Sequence, residues 1–197
     1  AVETKLTGVV WSGGNNQKVA IISGRKVIDA FGRNIAAYYP ITESYGHITT
    51  YSHDTGDLQA KTEYDAHDRI TSVTLADGST TRTAYTIGSH DGEPMLQTAV
   101  TDALGRHAES YTDAKGRNRE TVQHAGGEDI RVKYGYDPVG QVLTVQHPNG
   151  RETKYAYDLL GRKLMVNHPD AGETDMTYDA AGNLLTKLTA ELKKSIS

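Results

Sequence analysis

One short motif returns at a fixed interval in the last third of the chain, and this period constrains the fold more than any single residue. Three copies have aspartates 21 residues apart: Tyr136-Asp137-Pro138-Val139-Gly140-Gln141, Tyr157-Asp158-Leu159-Leu160-Gly161-Arg162 and Tyr178-Asp179-Ala180-Ala181-Gly182-Asn183. Such a period indicates one supersecondary unit that is repeated along the chain. Less regularly spaced copies precede them at Asp29-Ala30-Phe31-Gly32-Arg33, Tyr64-Asp65-Ala66-His67-Asp68-Arg69, Asp102-Ala103-Leu104-Gly105-Arg106 and Asp113-Ala114-Lys115-Gly116-Arg117. We attribute the irregular spacing to loop residues gained or lost.

A second turn signal follows well-formed aspartates of the motif after 12 residues. It is Asp77-Gly78 after Asp65, Asn149-Gly150 after Asp137, and Asp170-Ala171-Gly172 after Asp158. Asn-Gly and Asp-Gly favour hairpin turns because both residues tolerate positive φ. Each unit therefore contains two turns.

The side chains between the turns alternate as they do in strands. Leu143 and Val145 fall on one face, as do Leu164 and Val166, whereas interleaved residues such as Lys154 are polar. Each unit therefore consists of two short strands with one apolar and one wet face. The sequence predicts an all-β fold, an array of short antiparallel β-hairpins that form a single curved sheet.

Composition supports a thin sheet. The chain has 12 tyrosines but one phenylalanine and one tryptophan, and tyrosine hydroxyls need water or a partner, which a dry two-layer core does not supply. The absence of cysteine excludes disulfides and cysteine-based zinc sites. A net charge of -4 provides no basic field for nucleic acid, and no apolar run is long enough to span a membrane.

Three segments are predicted along the chain. Residues 1–27 lack the motif and form a hairpin with strands at Leu6–Trp11 and Val19–Ile22 that leads into the array. Residues 28–187 form the repeat array, and 188–197 form a truncated C-terminal segment.

Two features interrupt the strands. Glycines, an aspartate and a proline predict a longer loop near 86–93, and Thr189–Lys194 is the one segment expected to form a helix. Because the chain starts without methionine and stops soon after a repeat begins, we expect a fragment of a longer protein, without a secretion signal of its own.

The Tyr-Asp-x-x-Gly-Arg units resemble the YD or RHS repeats of bacterial polymorphic toxins, toxin-complex subunits, wall-associated proteins and the animal teneurins. The resemblance covers about residues 28–187 and is most specific over 134–187. It implies that many hairpins wind into one spiralling sheet, a hollow shell that often encloses a C-terminal toxic domain. No segment resembles the self-cleaving protease region of some members, so neither protease activity nor a toxin domain is carried over.

The motif residues are predicted to be structural. An aspartate that opens a turn accepts hydrogen bonds from backbone amides two or three residues on, and the glycine supplies positive φ. The arginines are expected to stack near aspartates and tyrosines of neighbouring units. One carboxylate per turn is too few for a calcium loop. The residues given this structural role are Asp29, Gly32, Arg33, Tyr64, Asp65, Arg69, Asp102, Gly105, Arg106, Asp113, Gly116, Arg117, Tyr136, Asp137, Gly140, Tyr157, Asp158, Gly161, Arg162, Tyr178, Asp179 and Gly182.

The eight histidines suggest two candidate metal sites, neither of which has support from its spacing. His47 and His53 are six residues apart, which suits neither a helix nor a strand. His147 and His168 occupy equivalent repeat positions before a proline, where turn packing accounts for them. The sequence also lacks a Gly-x-Ser-x-Gly or phosphate-binding loop. We therefore predict no metal ion, no cofactor and no catalytic residue.

These observations favour a structural repeat module over an enzyme. The module would be part of the β-shell of a large secreted or surface bacterial protein that encapsulates or displays a toxin or effector domain. Its partner would be the remainder of its own full-length chain, and open strand edges predict edge-to-edge self-association.

Two alternatives remain open. A carbohydrate-binding or cell-adhesion module would stack exposed tyrosines on the sugar rings of glycans, whereas a polysaccharide hydrolase would need two converging carboxylates. The placement of Tyr136, Tyr157 and Tyr178 distinguishes the structural module from the glycan-binding one. In the first they pack against the neighbouring unit, and in the second they stand free on a concave face.

Overall fold

A computed structural model shows a chain built almost entirely of β-strands. It describes residues 4–12, 15–45 and 58–195, and within these ranges it contains 17 strands and one helix. The strands are β1 (Thr4–Ser12), β2 (Asn15–Ser23), β3 (Lys26–Ile28), β4 (Asn34–Tyr38), β5 (Ile41–Ser44), β6 (Gln59–Tyr64), β7 (Ile70–Thr74), β8 (Thr80–His90), β9 (Glu93–Thr101), β10 (His107–Thr112), β11 (Asn118–Ala125), β12 (Glu128–Tyr136), β13 (Val142–Gln146), β14 (Glu152–Tyr157), β15 (Lys163–His168), β16 (Gly172–Tyr178) and β17 (Leu184–Leu188); the helix is α1 (Ala190–Ser195). The predicted all-β class is confirmed.

Most strands pair with the next strand along the chain. A 14-stranded sheet has the order β17-β16-β15-β14-β13-β12-β11-β10-β9-β8-β7-β6-β4-β3, and the strand pairs described in it are antiparallel. By compactness the chain divides into one unit of residues 1–83 with 101–105, and a second of 84–100 with 106–197. A run of antiparallel hairpins is what the repeated turns predict.

The N-terminal hairpin belongs to a separate small sheet. Strands β1 and β2 pair as predicted, but β5 joins them to give the order β1-β2-β5. Because β5 lies inside the segment predicted as the array and β3 begins at Lys26, the boundary expected between residues 27 and 28 does not coincide with a structural one. In the first unit, Ala20, Ile22 and Ala36 are buried.

The second unit has a small buried core. Met95 and Val122 are its buried apolar side chains among the described residues, and Glu120 and Thr153 are its buried polar ones. A single sheet layer leaves most side chains partly exposed, which agrees with a composition rich in tyrosine and poor in large aliphatic residues.

A β-bulge follows each regular motif turn. Gly135 pairs with Thr144 and Tyr136 pairs with Val142, so Leu143 lies unpaired between them. The same shift recurs at the equivalent place in five other hairpins. A bulge inserts one residue and locally disturbs the alternation of side chains. Leu143, the inserted residue here, is 37% exposed.

The prediction of a longer loop near residues 86–93 is wrong. Strands β8 and β9 continue to a two-residue turn at Asp91 and Gly92, which have φ of 51° and 81°. Positive φ at both central residues is the geometry that Asp-Gly favours in tight hairpins. The predicted C-terminal helix is present as α1, where the Thr189 hydroxyl accepts a hydrogen bond from the backbone N–H of Leu192 at 3.4 Å.

Candidate functional site

The motif turn is a five-residue hairpin loop closed by its aspartate. In the Asp158 turn, Oδ1 accepts hydrogen bonds from the backbone N–H groups of Leu160 and Arg162, both at 2.9 Å. Oδ2 accepts one from Arg162 Nε at 2.6 Å. The turns of Asp29, Asp65 and Asp113 repeat this arrangement. The aspartate thus holds the turn through amides two and four residues on, rather than two or three.

Backbone conformation explains the glycine of the motif. The glycines of the complete copies have φ between 77° and 98°: Gly32, Gly105, Gly116, Gly140, Gly161 and Gly182. In the degenerate copy Asp68 takes the glycine position, with φ of 61°. Aspartate is one of the few residues that enter this region without a large penalty, so the degenerate copy still forms the turn.

Copies that lack the arginine keep part of the network. Asp137 accepts a hydrogen bond from the Gln141 N–H at 2.8 Å, and the Asn183 side chain replaces the guanidinium beside Asp179, with Nδ2 to Oδ2 at 2.9 Å. The backbone bonds of the turn are therefore preserved where the ion pair is absent.

The Asp102 copy differs in position. Its turn precedes β10 and the Asp113 turn follows it, so the two lie at opposite ends of that strand. Asp102 still accepts a hydrogen bond from the Leu104 N–H at 2.9 Å. The short spacing between these two copies is one strand plus one turn, and the loop insertion predicted from the sequence does not explain it.

At three places one motif is tied to the next by what we call the inter-repeat clamp, formed by the arginine of one motif with the tyrosine and aspartate of the following one. Arg162 Nη1 donates to the Asp179 carbonyl at 2.9 Å, and its guanidinium carbon lies 5.0 Å from the centre of the Tyr178 ring. The Tyr178 hydroxyl donates back to the Lys163 carbonyl at 2.9 Å. Arg33 with Tyr64 and Asp65, and Arg117 with Tyr136 and Asp137, form the same clamp.

The clamp occupies the tyrosines that the glycan hypothesis would need free. Tyr157 has no arginine above it, since Gln141 occupies that place, yet its hydroxyl still donates to the Val142 carbonyl at 3.0 Å. Burial raises the pKa of Tyr136 and of Tyr157 above the ordinary value for tyrosine. These rings are half-buried and pack against the neighbouring repeat.

Strands β10, β11 and β12 present a second cluster, which sequence reasoning missed. Its members share one face through direct cross-strand pairing. We call it the polar patch, and it consists of His107, Glu109, Tyr111, Glu120, Val122, His124, Asp129, Arg131 and Lys133. Charged and titratable side chains are thus gathered on the strands themselves, away from the motif turns.

One end of the polar patch surrounds a buried carboxylate. The Glu120 side chain is 1% exposed, and His90 Nε2 lies 2.5 Å from its Oε2. Arg131 Nη1 lies 3.2 Å from Oε1, and Lys133 Nζ lies 3.7 Å from Oε2. His90, Asp91 and Glu120 could also converge on a metal ion, but the two cationic side chains already neutralise this end of the patch.

The other end places two imidazoles beside a carboxylate. His107 Nε2 is 3.2 Å and His124 Nε2 is 3.8 Å from Glu109 Oε1. The Tyr111 hydroxyl donates to Glu109 Oε2 at 2.6 Å. This hydrogen bond lowers the pKa of Glu109 and raises that of Tyr111 to about 12.

The four histidines considered as metal ligands from the sequence either have simpler explanations or lie outside the described residues. His147 Nε2 lies 2.8 Å from the Thr153 hydroxyl oxygen, and His168 Nδ1 accepts from the Asp170 N–H at 3.1 Å. These turn contacts account for both side chains, as expected from their repeat positions. His47 and His53 lie outside the described residues. A His-x-Glu pair in a strand, with a histidine opposite it across the hairpin, was the sequence signal for the polar patch.

The described part of the chain contains no helix that is long and apolar enough to cross a membrane.

Comparison with known proteins gives a repeat family and a fold. Residues 136–173 match the RHS repeat family. Among solved structures, the chain is similar to TcdB2–TccC3 crystallised without its hypervariable C-terminal region, with a TM-score of 0.69 and 20% identity over 89% of this chain and 10% of that one. It is also similar to the Photorhabdus luminescens Tc holotoxin pore with a mutation in TccC3, with a TM-score of 0.67 and 18% identity over 95% of this chain and 11% of that one. No curated protein matches by sequence.

The sequence match assigns residues 136–173 to the RHS repeat family, and the solved structures show that the chain shares the fold of Tc toxin chains. The sequence match lies on the regular copies around Asp137 and Asp158, and the likeness to Tc toxin chains extends over most of the sequence. The chain spans about a tenth of the length of those toxin chains.

Proposed function

We propose that this chain is a stretch of wall in the β-shell of a large secreted bacterial RHS-repeat protein, and that the shell encloses a toxic or effector segment encoded elsewhere in the same protein. On this proposal the repeat residues are structural and none is catalytic. The partner of the chain is the rest of its own polypeptide.

The inter-repeat clamp is the observation that supports the proposal most directly. The polar groups that recur with the period are engaged within a turn or between adjacent repeats, as in the contact of Arg162 with Asp179 and Tyr178. A repeated recognition or catalytic site would instead present the same groups to solvent or to a groove. The likeness to TcdB2–TccC3, which has a hypervariable C-terminal region, adds support from the fold.

The test is limited proteolysis of the natural full-length protein that contains this chain. We expect its C-terminal segment to resist a protease that rapidly degrades the same segment expressed alone. Gly161→Val, which distorts a wall turn, should increase cleavage of the enclosed segment, whereas Gly88→Val in β8 should not. Equal cleavage of the free segment and of the same segment in the full-length protein would overturn the proposal.

A glycan array with the isolated chain tests the alternative. Since the motif tyrosines are half-buried and their hydroxyls are hydrogen-bonded to the neighbouring repeat, we expect no binding above background. Specific binding that is abolished by Tyr178→Ala but not by Leu160→Ala, with both variants folded by circular dichroism, would favour a carbohydrate-binding module instead.

A further inference from the structure

We propose that His107, Glu109 and His124 form a binding site for one divalent transition-metal ion of the zinc type, at the end of the polar patch away from Glu120. The site does not depend on the proposed shell function. It would join strands β10 and β11 by coordinate bonds.

The backbone itself brings the three ligands together. His107 and Glu109 alternate along β10 and so share a face, and His124 is the direct cross-strand partner of His107. Their ligand atoms all lie within 4.8 Å of one another. Two of these separations, 3.2 Å and 3.8 Å to Glu109 Oε1, bracket the spacing of about 3.3 Å between donors at a tetrahedral zinc with bonds of about 2.0–2.1 Å.

The hydrogen bonding of the two ring nitrogens of His124 suits a metal ligand. Its Nδ1 lies 2.6 Å from Asp129 Oδ1 and so donates a proton to that carboxylate, which in the neutral imidazole leaves the lone pair on Nε2. Nε2 is buried from solvent and has no hydrogen-bond partner among the described residues. A metal-binding histidine usually donates a hydrogen bond to a carboxylate from the ring nitrogen that does not bind the metal. This hydrogen bond fixes the tautomer and raises the basicity of the nitrogen that does.

Surrounding groups also fix the carboxylate ligand. The Tyr111 hydroxyl binds Glu109 Oε2 and leaves Oε1 directed at the two imidazoles. Arg131 binds the other oxygen of Asp129 at 2.6 Å and so balances the charge behind His124. With two neutral imidazoles and one carboxylate, the site carries a single negative charge that suits a dication and leaves a fourth position for water.

Access and chemistry favour this end of the patch over the other candidate. The side chains of His107, Glu109 and His124 are 38%, 18% and 34% exposed, so the cluster lies at the surface of the sheet although the His124 Nε2 atom itself is covered. Around Glu120, by contrast, the cationic groups of Arg131 and Lys133 already lie beside the carboxylate oxygens that would bind a dication. Imidazole with carboxylate is a common zinc ligand set.

The competing explanation is a hydrogen-bonded cluster without metal, in which His107 donates to Glu109. Metal binding would displace that proton, so zinc affinity should fall as pH is lowered. We would treat the purified chain with a chelator, exchange the buffer and titrate zinc chloride by calorimetry. We expect one zinc ion per chain, a thermal midpoint that rises with zinc concentration, and a visible absorption band when cobalt replaces zinc.

Variants then locate the ion. His107→Gln and His124→Gln should each weaken zinc binding at least tenfold, and Asp129→Asn about tenfold because it supports a ligand without being one. The matched control is the other histidine pair: His147→Gln and His168→Gln should bind zinc as the parent chain does. Circular dichroism without zinc checks that each variant is folded.

One measurement needs no variant and remains decisive if a variant fails to fold. In histidine ring NMR spectra, zinc should shift the signals of His107 and His124 and leave those of His147 and His168 in place. The absence of zinc uptake by the parent chain would overturn the proposal. Shifts confined to other histidines, or equal loss of binding in the control variants, would do so too.

Discussion

A motif aspartate uses both carboxylate oxygens within its own turn. At Asp158, one oxygen receives two backbone N–H groups and the other receives the arginine of the motif. The carboxylate thus replaces water at amides that the turn leaves unpaired. Glycine then accepts the positive φ that closes the loop. At the scale of single residues, the motif is a description of one turn.

Gly161→Val should destabilise the chain more than Arg162→Ala. Gly161 has φ of 82°, and an added Cβ would lie 2.8 Å from Gln141 Nε2, so we expect a cost of about 1–3 kcal/mol. Arg162→Ala removes a partly exposed ion pair and a ring contact, together worth about 1 kcal/mol. Urea unfolding measures both. Gly88→Val is the control, because Gly88 has open space around it and no positive φ. Equal losses at Gly161 and Gly88 would contradict the role assigned to the turn.

The motif aspartates should make stability depend on acid pH. Desolvation raises the pKa of Asp65, but hydrogen bonds from the backbone and side chain of Arg69 and from the His67 amide outweigh it and lower the pKa from 3.8 to about 2. A carboxyl with a depressed folded pKa stabilises the fold fully above its unfolded pKa and loses that contribution as pH falls through the folded value. Stability should therefore decline between about pH 4 and pH 2.

The control for this prediction is Asp65→Asn. It should be less stable at neutral pH and should have a shallower decline in acid, measured as the urea midpoint against pH. The decline should not vanish, since the pKa values of Asp29, Asp113, Asp158 and Asp179 are also lowered by the hydrogen bonds of their turns. An unchanged slope in the variant would show that the Asp65 turn does not supply the effect.

At the scale of hairpins, the unit of stability is the contact between adjacent repeats. An isolated two-stranded hairpin is marginal in water, and here the tyrosine of each regular repeat donates to a carbonyl of the repeat before it. Arginine stacking and a second backbone hydrogen bond add to this where the motif is complete. Successive hairpins therefore stabilise one another in the way that repeat proteins do.

Tyr157→Phe should cost about 1 kcal/mol, because the variant leaves the partly buried Val142 carbonyl without its donor. Tyr155→Phe is the matched control on the same strand, since its hydroxyl makes no hydrogen bond with any described residue. We expect that control to change the free energy of unfolding by less than about 0.5 kcal/mol. Similar unfolding curves for the two variants would show that the hydrogen bond of the Tyr157 hydroxyl contributes nothing measurable.

At the scale of the whole chain, the strand order leaves two ends. Strands β3 and β17 are the terminal members of the 14-stranded order, and Leu184 and Leu185 of β17 are 51% and 64% exposed. A terminal strand offers unpaired backbone groups to another chain, and exposed leucines add apolar area for association. In the proposed full-length protein, neighbouring repeats would cover these ends.

The isolated chain should self-associate through β17. Light scattering should show a molar mass that rises with concentration, and Leu185→Lys should reduce the rise because a charge on a terminal strand opposes pairing. Leu160→Lys changes an equally accessible leucine in a turn, 76% exposed, and should behave as the parent chain does. A molar mass that stays at the monomer value at high concentration would contradict the prediction.

Elements that depend on local chemistry could be predicted from the sequence alone. Asp-x-x-Gly and Asn-Gly specify turns through their own φ preferences and hydrogen bonds, so the period and the strands between the turns were predictable. The C-terminal helix was predictable as well. The Asp-Gly turn at Asp91 carried the same local signal. Gly88 and Pro94 on either side of it predicted a longer loop instead.

The groups that meet across strands could not be predicted in this way, because they depend on how the strands are paired. The pairing of β5 with the N-terminal hairpin, the bulge at Leu143, and the union of His107, Glu109 and His124 all depend on register. Register is fixed by hydrogen bonding along a whole strand pair, and a shift of one residue moves every side chain to the other face. A turn can therefore be predicted from five residues of sequence, whereas a site built on a sheet forms only when its strands are paired in the correct register.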